Sequence, residues 1–226
     1  MTTVGYHLDN SFGIHVRGLR RNFGASSVLD GLTMDAPSGA LTAVSGANGA
    51  GKTTLLRILA TLLRADGGDA WVAGAHVGRE PERVRGRIGV ALVNDRGLYW
   101  RLSGSRNLEF FGRALGLSRA DARTDAARVA AEMGIEGFAG RPVATYSAGQ
   151  RQRLVLARAS LADPAVLLID EPMRGLDEDG IARARAMMLR HARRGAAVLV
   201  AAPTIAEFSD LCDTRIVLRG GRAEAA

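Results

Sequence analysis

Ser45-Gly-Ala-Asn-Gly-Ala-Gly-Lys-Thr-Thr-Leu-Leu56 is a glycine-rich loop running into an apolar helical pattern. From Gly46 to Thr53 it meets the spacing G-x-x-x-x-G-K-[ST] at every fixed position. Gly46, Gly49 and Gly51 permit backbone conformations closed to residues with a Cβ, so successive N–H groups can turn toward one anion. A helix starting near Lys52 adds its positive dipole end and its unpaired N–H groups. The stretch therefore reads as a nucleotide phosphate site. Gly46, Ala47, Asn48, Gly49, Ala50, Gly51 and Thr54 cradle the phosphates, Lys52 bridges the outer ones, and the Thr53 hydroxyl ligates Mg²⁺. Of 30 basic residues Lys52 is the only lysine. A compact ammonium thus occupies the one slot where a point charge is wanted.

The flanks agree. Leu41–Ser45 reads as a short buried strand, and Leu55, Leu56, Ile58, Leu59, Leu62 and Leu63 recur at helical spacing. Ile14–Leu19 and Leu32–Asp35 look like short alternating strands, and Arg21-Asn-Phe-Gly24 places an aromatic ahead of the loop. Ala70–Ala73 is a strand candidate, with Gly67-Gly68 turning into it. Ile88–Val93 is a continuous apolar run, typical of a strand buried on both faces. From Asn94 to Thr145 no strand-like run appears. Leu108–Leu117 and Asp121–Met133 have helical spacing instead, and Ser118-x-x-Asp121 marks a helix start. Gln150–Leu161 and Ile181–Arg193 read as helices, and Ala165–Asp170, Val198–Ala202 and Ile216–Leu218 as strands. Thr204-x-x-Glu207 has the form of a capping box opening a short helix to Cys212. Strands alternating with helices imply a mainly parallel sheet with right-handed crossovers. Residues 1–12 carry no clear pattern and read as a mobile lead-in.

Bulk properties set limits. A chain of 226 residues, 47% hydrophobic and 23% charged, has the composition of a globular protein rather than a disordered one. No apolar run approaches the ~18 residues of a membrane span, and the N-terminus lacks a signal-peptide pattern. The single cysteine, Cys212, excludes an internal disulfide framework and is the usage of a reducing cytoplasm. A net charge of +7 raises the question of nucleic acid. The arginines are scattered, however, and no stripe with interleaved aromatics appears, so no nucleic-acid partner is expected.

Val166-Leu-Leu-Ile-Asp170-Glu171 is an apolar strand ending in two carboxylates. It delivers them to the carboxyl end of the strand, where ligands collect in open α/β sheets. Asp170 suits the Mg²⁺ shell, and Glu171 suits a base polarising the attacking water. Tyr146-Ser-Ala-Gly-Gln150, followed by Arg151–Arg158, is a Ser/Gly helix start, a second anion site of the dipole kind.

This last stretch resembles the signature sequence of ABC ATPases, and the resemblance extends from about residue 14 to 223. It implies an α/β phosphate-loop fold of the ABC type. That fold has a mainly parallel sheet core, a small antiparallel β subdomain and an inserted helical subdomain. The whole chain would be one such domain, with about 14–93 and 159–223 as nucleotide-binding core and about 94–158 as helical part. Phe23 looks like the aromatic that stacks on adenine. Ser147, Gly149 and Gln150 look like contacts to ATP held by a second subunit, and Gly175-Leu-Asp177 like the loop linking the two sites.

Two positions depart from the family pattern. The glutamine expected after strand 88–93 falls on Asn94, or on Val93 if the strand aligns one residue earlier. Pro203 occupies the slot of a histidine that contacts the γ-phosphate, and proline has neither a side-chain donor nor an N–H. None of His7, His15, His76 or His191 lies near that slot in sequence.

The resemblance implies an ATPase subunit of a transporter. It would pair head to tail with a second ATPase subunit, like or unlike, and dock on a separate membrane permease at the inner face of the cell membrane. The stretch Asp95–Leu108 most resembles small exporter subunits, with Leu98, Tyr99 and Trp100 as the docking surface. Two alternatives are a weakly hydrolysing regulatory half and a soluble ABC ATPase outside transport.

Overall fold

The computed structural model describes residues 12–92 and 97–225. Strands β1 (Phe12–Phe23) and β2 (Ser26–Pro37) form an antiparallel hairpin. Both run far beyond the cores expected from alternation, because register shifts between Val16 and Leu19 and between Leu19 and Arg20 interrupt the period of two. β3 (Leu41–Ser45) is buried at all five positions and leads through the glycine-rich loop into α1 (Lys52–Leu59). β4 (Gly67–Val72) pairs with β1. It turns through Ala73-Gly74, both at positive φ, into β5 (Ala75–His76), the geometry of a two-residue hairpin. Gly67-Gly68 is thus the start of a strand and not the expected turn. Gly68 is glycine because a Cβ there would lie 2.3 Å from the Gly18 carbonyl oxygen.

After α2 (Pro81–Arg85) and β6 (Ile88–Ala91) come three helices: α3 (Gly104–Ala114), α4 (Arg119–Glu132) and α5 (Ala148–Ala159). Ser103, Ser118 and Ser147 cap them, each accepting a hydrogen bond from the N–H three residues on. Then follow β7 (Val166–Asp170), α6 (Glu178–Arg193), β8 (Ala197–Ala201), β9 (Thr214–Arg219) and β10 (Arg222–Ala225). The expected capping box at Thr204 is not formed. Its side chain makes no capping hydrogen bond, and the segment is a single 3₁₀ turn, Ile205–Phe208.

The strands make two sheets. One is antiparallel, in the order β2-β1-β4-β5; the other runs β10-β9-β3-β8-β7-β6 and is parallel except at β10. Its central strands bury both faces, which is why they read as unbroken apolar runs. Ala43, Ile169, Val198 and Val200 pack toward α4, α5 and α6. Val44, Leu168 and Leu199 pack on the other side, with Leu55, Leu56 and Leu59 of α1 and Ile14, Val16 and Leu19 of β1. Each such Val, Leu or Ile side chain contributes ~1.5–3 kcal/mol by burial. The two layers hold the carboxyl ends of β3, β7 and β8 side by side.

Candidate functional site

The loop after β3 has the predicted backbone. Gly46, Gly49 and Gly51 take φ values of 152°, 82° and 101°, and a Cβ on Gly51 would lie 2.9 Å from the Val28 carbonyl oxygen. Lys52 is 8% exposed, and its Nζ donates to the Gly46 and Ala47 carbonyls at 2.6 and 3.1 Å. The ammonium is folded back over the loop, on acceptors that a phosphate oxygen can replace. Thr53 Oγ1 donates to Asp170 Oδ2 at 2.6 Å, which ties the loop to the end of β7. Asp170 is 2% exposed. Burial pushes its carboxyl above the ordinary value and the Glu171 charge adds to this, while the Thr53 hydrogen bond and Lys52 oppose it. A buried carboxylate beside a hydroxyl, short of counter-charge, is a donor set that fits a hard divalent cation.

Glu171 holds a positive φ of 46°, a conformation that non-glycine residues adopt at a cost of ~1–3 kcal/mol. Its N–H donates to the Ala201 carbonyl at 2.8 Å, and its carboxylate pairs with Arg174 at 3.2 Å. Val28, Asn48, Gly49, Ala50, Gly51, Lys52, Thr53, Thr54 and Glu171 line one open cleft of about 280 Å³. Most of the residues expected to hold phosphate are thus gathered with the expected base.

Ser147, Gly149, Gln150 and Asp177 form a separate group. Gln150 closes a capping box with Ser147: its N–H donates to Ser147 Oγ at 3.1 Å and its Oε1 accepts from the Ser147 N–H at 3.0 Å. A Cβ on Gly149 would lie 2.7 Å from the Gly175 carbonyl oxygen, so the start of α5 and the loop before α6 touch backbone to backbone. Asp177 caps α6 through Gly180 N–H and is held low by Arg153, which also bonds Asp179 at 2.8 Å. Sequence reasoning missed Arg153. Its only signal is a charge on a helix face otherwise buried by Leu154, Leu156 and Ala157.

Phe23, at the end of β1, is not among the residues that line the cleft around Lys52. It is half exposed, with the Arg21 guanidinium 4.7 Å from its ring centre. Asn94 and Val93 lie outside the described residues, as does His7. Pro203 lines a second cavity of about 540 Å³ with Glu171, Met173, Arg174, Ile181, Arg185 and Glu207. The other three histidines are engaged elsewhere: His15 with Asp35, His76 with Asp69, and His191 with Ser160.

Tyr99 packs on Phe110 and Phe111 at 4.7 and 5.9 Å, and Trp100 lies under Arg151 at 5.4 Å. Tyr99, Trp100, Leu102, Phe110 and Leu115 are all exposed. The buried Asn107 pins this surface, accepting from the Tyr99 N–H at 2.7 Å and donating to the Tyr99 and Ser103 carbonyls. Among the described residues no helix is long and apolar enough to cross a membrane.

Comparison with known proteins agrees with this geometry. The family described as ABC transporter matches residues 29–174. The daunorubicin resistance ATP-binding protein DrrA2 of Streptomyces coeruleorubidus is 36% identical over 224 residues, 96% of this chain and 67% of that protein. A solved ATP-binding subunit of an ABC transporter superposes with a TM-score of 0.85 at 28% identity, covering 94% of this chain and 88% of the other. The cbiO1 subunit of Clostridium perfringens, part of the ABC transporter complex cbiONQ, does so with 0.81 at 25% identity, over 95% and 87% of the two chains. The chain belongs to the ABC transporter family, as one of its ATP-binding subunits.

Proposed function

We propose that this chain hydrolyses ATP to drive export through a separate membrane permease. The carrying observation is the convergence of Lys52, Thr53, Asp170 and Glu171 at the ends of β3 and β7. Thr53 Oγ1 and Asp170 Oδ2 would hold Mg²⁺, which when bound neutralises charge on the phosphates. Lys52 Nζ exchanges its two loop carbonyls for phosphate oxygens. Glu171 accepts the proton of the attacking water. Ser147 and Gly149 of a second subunit close the site across a dimer interface, with the ribose and adenine toward Phe23. About 14–93 and 159–223 serve as core, and about 94–158 as the helical part. Export is favoured because the DrrA2 relative is named for daunorubicin resistance. The exposed aromatic surface around Tyr99 and Trp100 receives a helix of the permease, which would hold the chain at the inner face of the membrane.

Pro203 supports one other reading, a regulatory half that turns over only beside an active partner. Both readings keep Glu171. In the exporter reading the homodimer hydrolyses ATP slowly, and Glu171→Gln abolishes phosphate release while ATP-dependent dimerisation persists. Steady-state phosphate release, alone and with candidate ATPase partners, is the measurement. Turnover that appears only with a partner selects the regulatory half; unchanged turnover in Glu171→Gln refutes the assignment of the base.

A further inference from the structure

We propose that Arg174 is a second cation of the hydrolytic site, beside Lys52. It holds the Glu171 carboxylate at rest and moves onto the terminal phosphate of bound nucleotide during turnover. The proposal rests on the hydrolysis reading above and adds a group that the sequence did not single out.

The geometry makes Glu171 the wall between two spaces. On one side is the cleft of Lys52 and Thr53; on the other is the cavity of Arg174, Arg185 and Pro203. Arg174 Nη1 lies 3.2 Å from Glu171 Oε2. The strained φ of Glu171 fixes where that carboxylate starts, three residues before the guanidinium that meets it. Pro203, facing the same cavity, has no donor to offer a phosphate oxygen. Arg185, the other guanidinium there, is bonded to the Glu207 carbonyl and to Asp210. Among the described residues Arg174 is thus the cation paired with the base.

The pair is easily exchanged. The Arg174 side chain is 68% exposed, and such ion pairs are weak because water screens them. A terminal phosphate carries more negative charge than one carboxylate and accepts two N–H groups of a guanidinium fork. Moving Arg174 from carboxylate to phosphate does two things at once. It places positive charge where negative charge gathers as the phosphoryl group transfers. It also frees Glu171 Oε2. The water oxygen then bonds to the terminal phosphorus, the bond to the bridging oxygen breaks with its electron pair left on ADP, and the water proton passes to Glu171.

The test uses the full chain with Arg174→Ala and Arg174→Lys, exposed substitutions that empty no core. Three quantities are read: affinity for a fluorescent ATP analogue, retention of labelled ADP with Mg²⁺ and orthovanadate, and phosphate release. Vanadate mimics the transferring phosphoryl group, so its trapping reports the clamp without turnover. Loss of an exposed pair should leave ATP-analogue affinity within about threefold of wild type in Arg174→Ala. Trapping and turnover should fall roughly 10²–10³-fold, the effect of losing a transition-state donor. Arg174→Lys should regain part of both. Arg174→Ala that hydrolyses at or above the wild-type rate would make the contact an inhibitory latch and overturn the proposal. Equal trapping, or loss of ATP affinity alongside trapping, would overturn it too. The control is Glu171→Gln: if it turns over like wild type, or if wild type neither turns over nor traps, the hydrolysis reading falls first. If Glu171→Gln is dead and Arg174→Ala is normal, only the role of Arg174 falls.

Discussion

Lowering the pH should destabilise this protein through His191, at the opposite end of α6 from the nucleotide cleft. The imidazole is 1% exposed on the last turn of α6. Burial lowers its pKa to about 4, and the Arg190 guanidinium, 2.8 Å from Nε2, adds to the effect. Ser160 Oγ meets the same nitrogen at 3.1 Å. Of the other charges acting on the ring, Asp163 favours the proton and Arg128 and Arg194 oppose it. The folded chain therefore keeps His191 neutral, whereas an unfolded histidine titrates near pH ~6.5. Below that value the unfolded state takes up a proton that the folded state refuses, so stability is lost as pH falls from ~6.5 toward 4 and is unaffected above. The distance between the two values corresponds to roughly 3 kcal/mol at its limit. Urea unfolding of wild type and His191→Gln, run from pH ~7.5 to ~4.5, isolates the contribution as a difference between the two proteins. The wild-type advantage should shrink by about 2–3 kcal/mol across that range. A difference that stays flat with pH would refute the buried neutral imidazole.

Two further outcomes concern function directly. Lys52→Ala removes a charge-assisted contact worth about 1.5–3 kcal/mol, so ATP–Mg²⁺ affinity should fall roughly tenfold to 150-fold in a titration with a fluorescent ATP analogue. Unchanged affinity would remove the phosphate-loop assignment. Replacing Tyr99 and Trp100 together with Ala should abolish co-purification with the permease and leave ATP binding intact; a surviving complex would move the docking surface elsewhere.

The parts of the fold legible in the sequence were those where one physical demand acts alone. β3, β6, β7 and β8 are covered on both faces, so their apolar runs needed no alternation to be found. Ser118 and Ser147 were legible as caps because a cap is a local hydrogen bond. β1 was cut short because its bulges break the period of two. β5 has two residues and α2 five, too few to show any period. Thr204 misled for a different reason. The box pattern is present, but the chain there makes one 3₁₀ turn, so a second α-turn never presents the N–H groups to be capped. In the site, the loop and the two carboxylates were contiguous motifs and could be read. Arg153 could not, because its partner Asp177 lies 24 residues away and only the packing of α5 on α6 brings them together.

That packing has a mechanical consequence. α5 and α6 meet along their length: Gly149 at the start of α5 lies close to the Gly175 backbone before α6, Arg153 midway along α5 bonds Asp177 and Asp179 at the start of α6, and Ser160 at the end of α5 meets His191 in the last turn of α6. The pair is a girder and not two rods. At 1.5 Å per residue, the 16 residues of α6 span about 24 Å. Were the pair moved as one rigid body, a tilt of about 5° at the start of α6 would sweep its far end by roughly 2 Å.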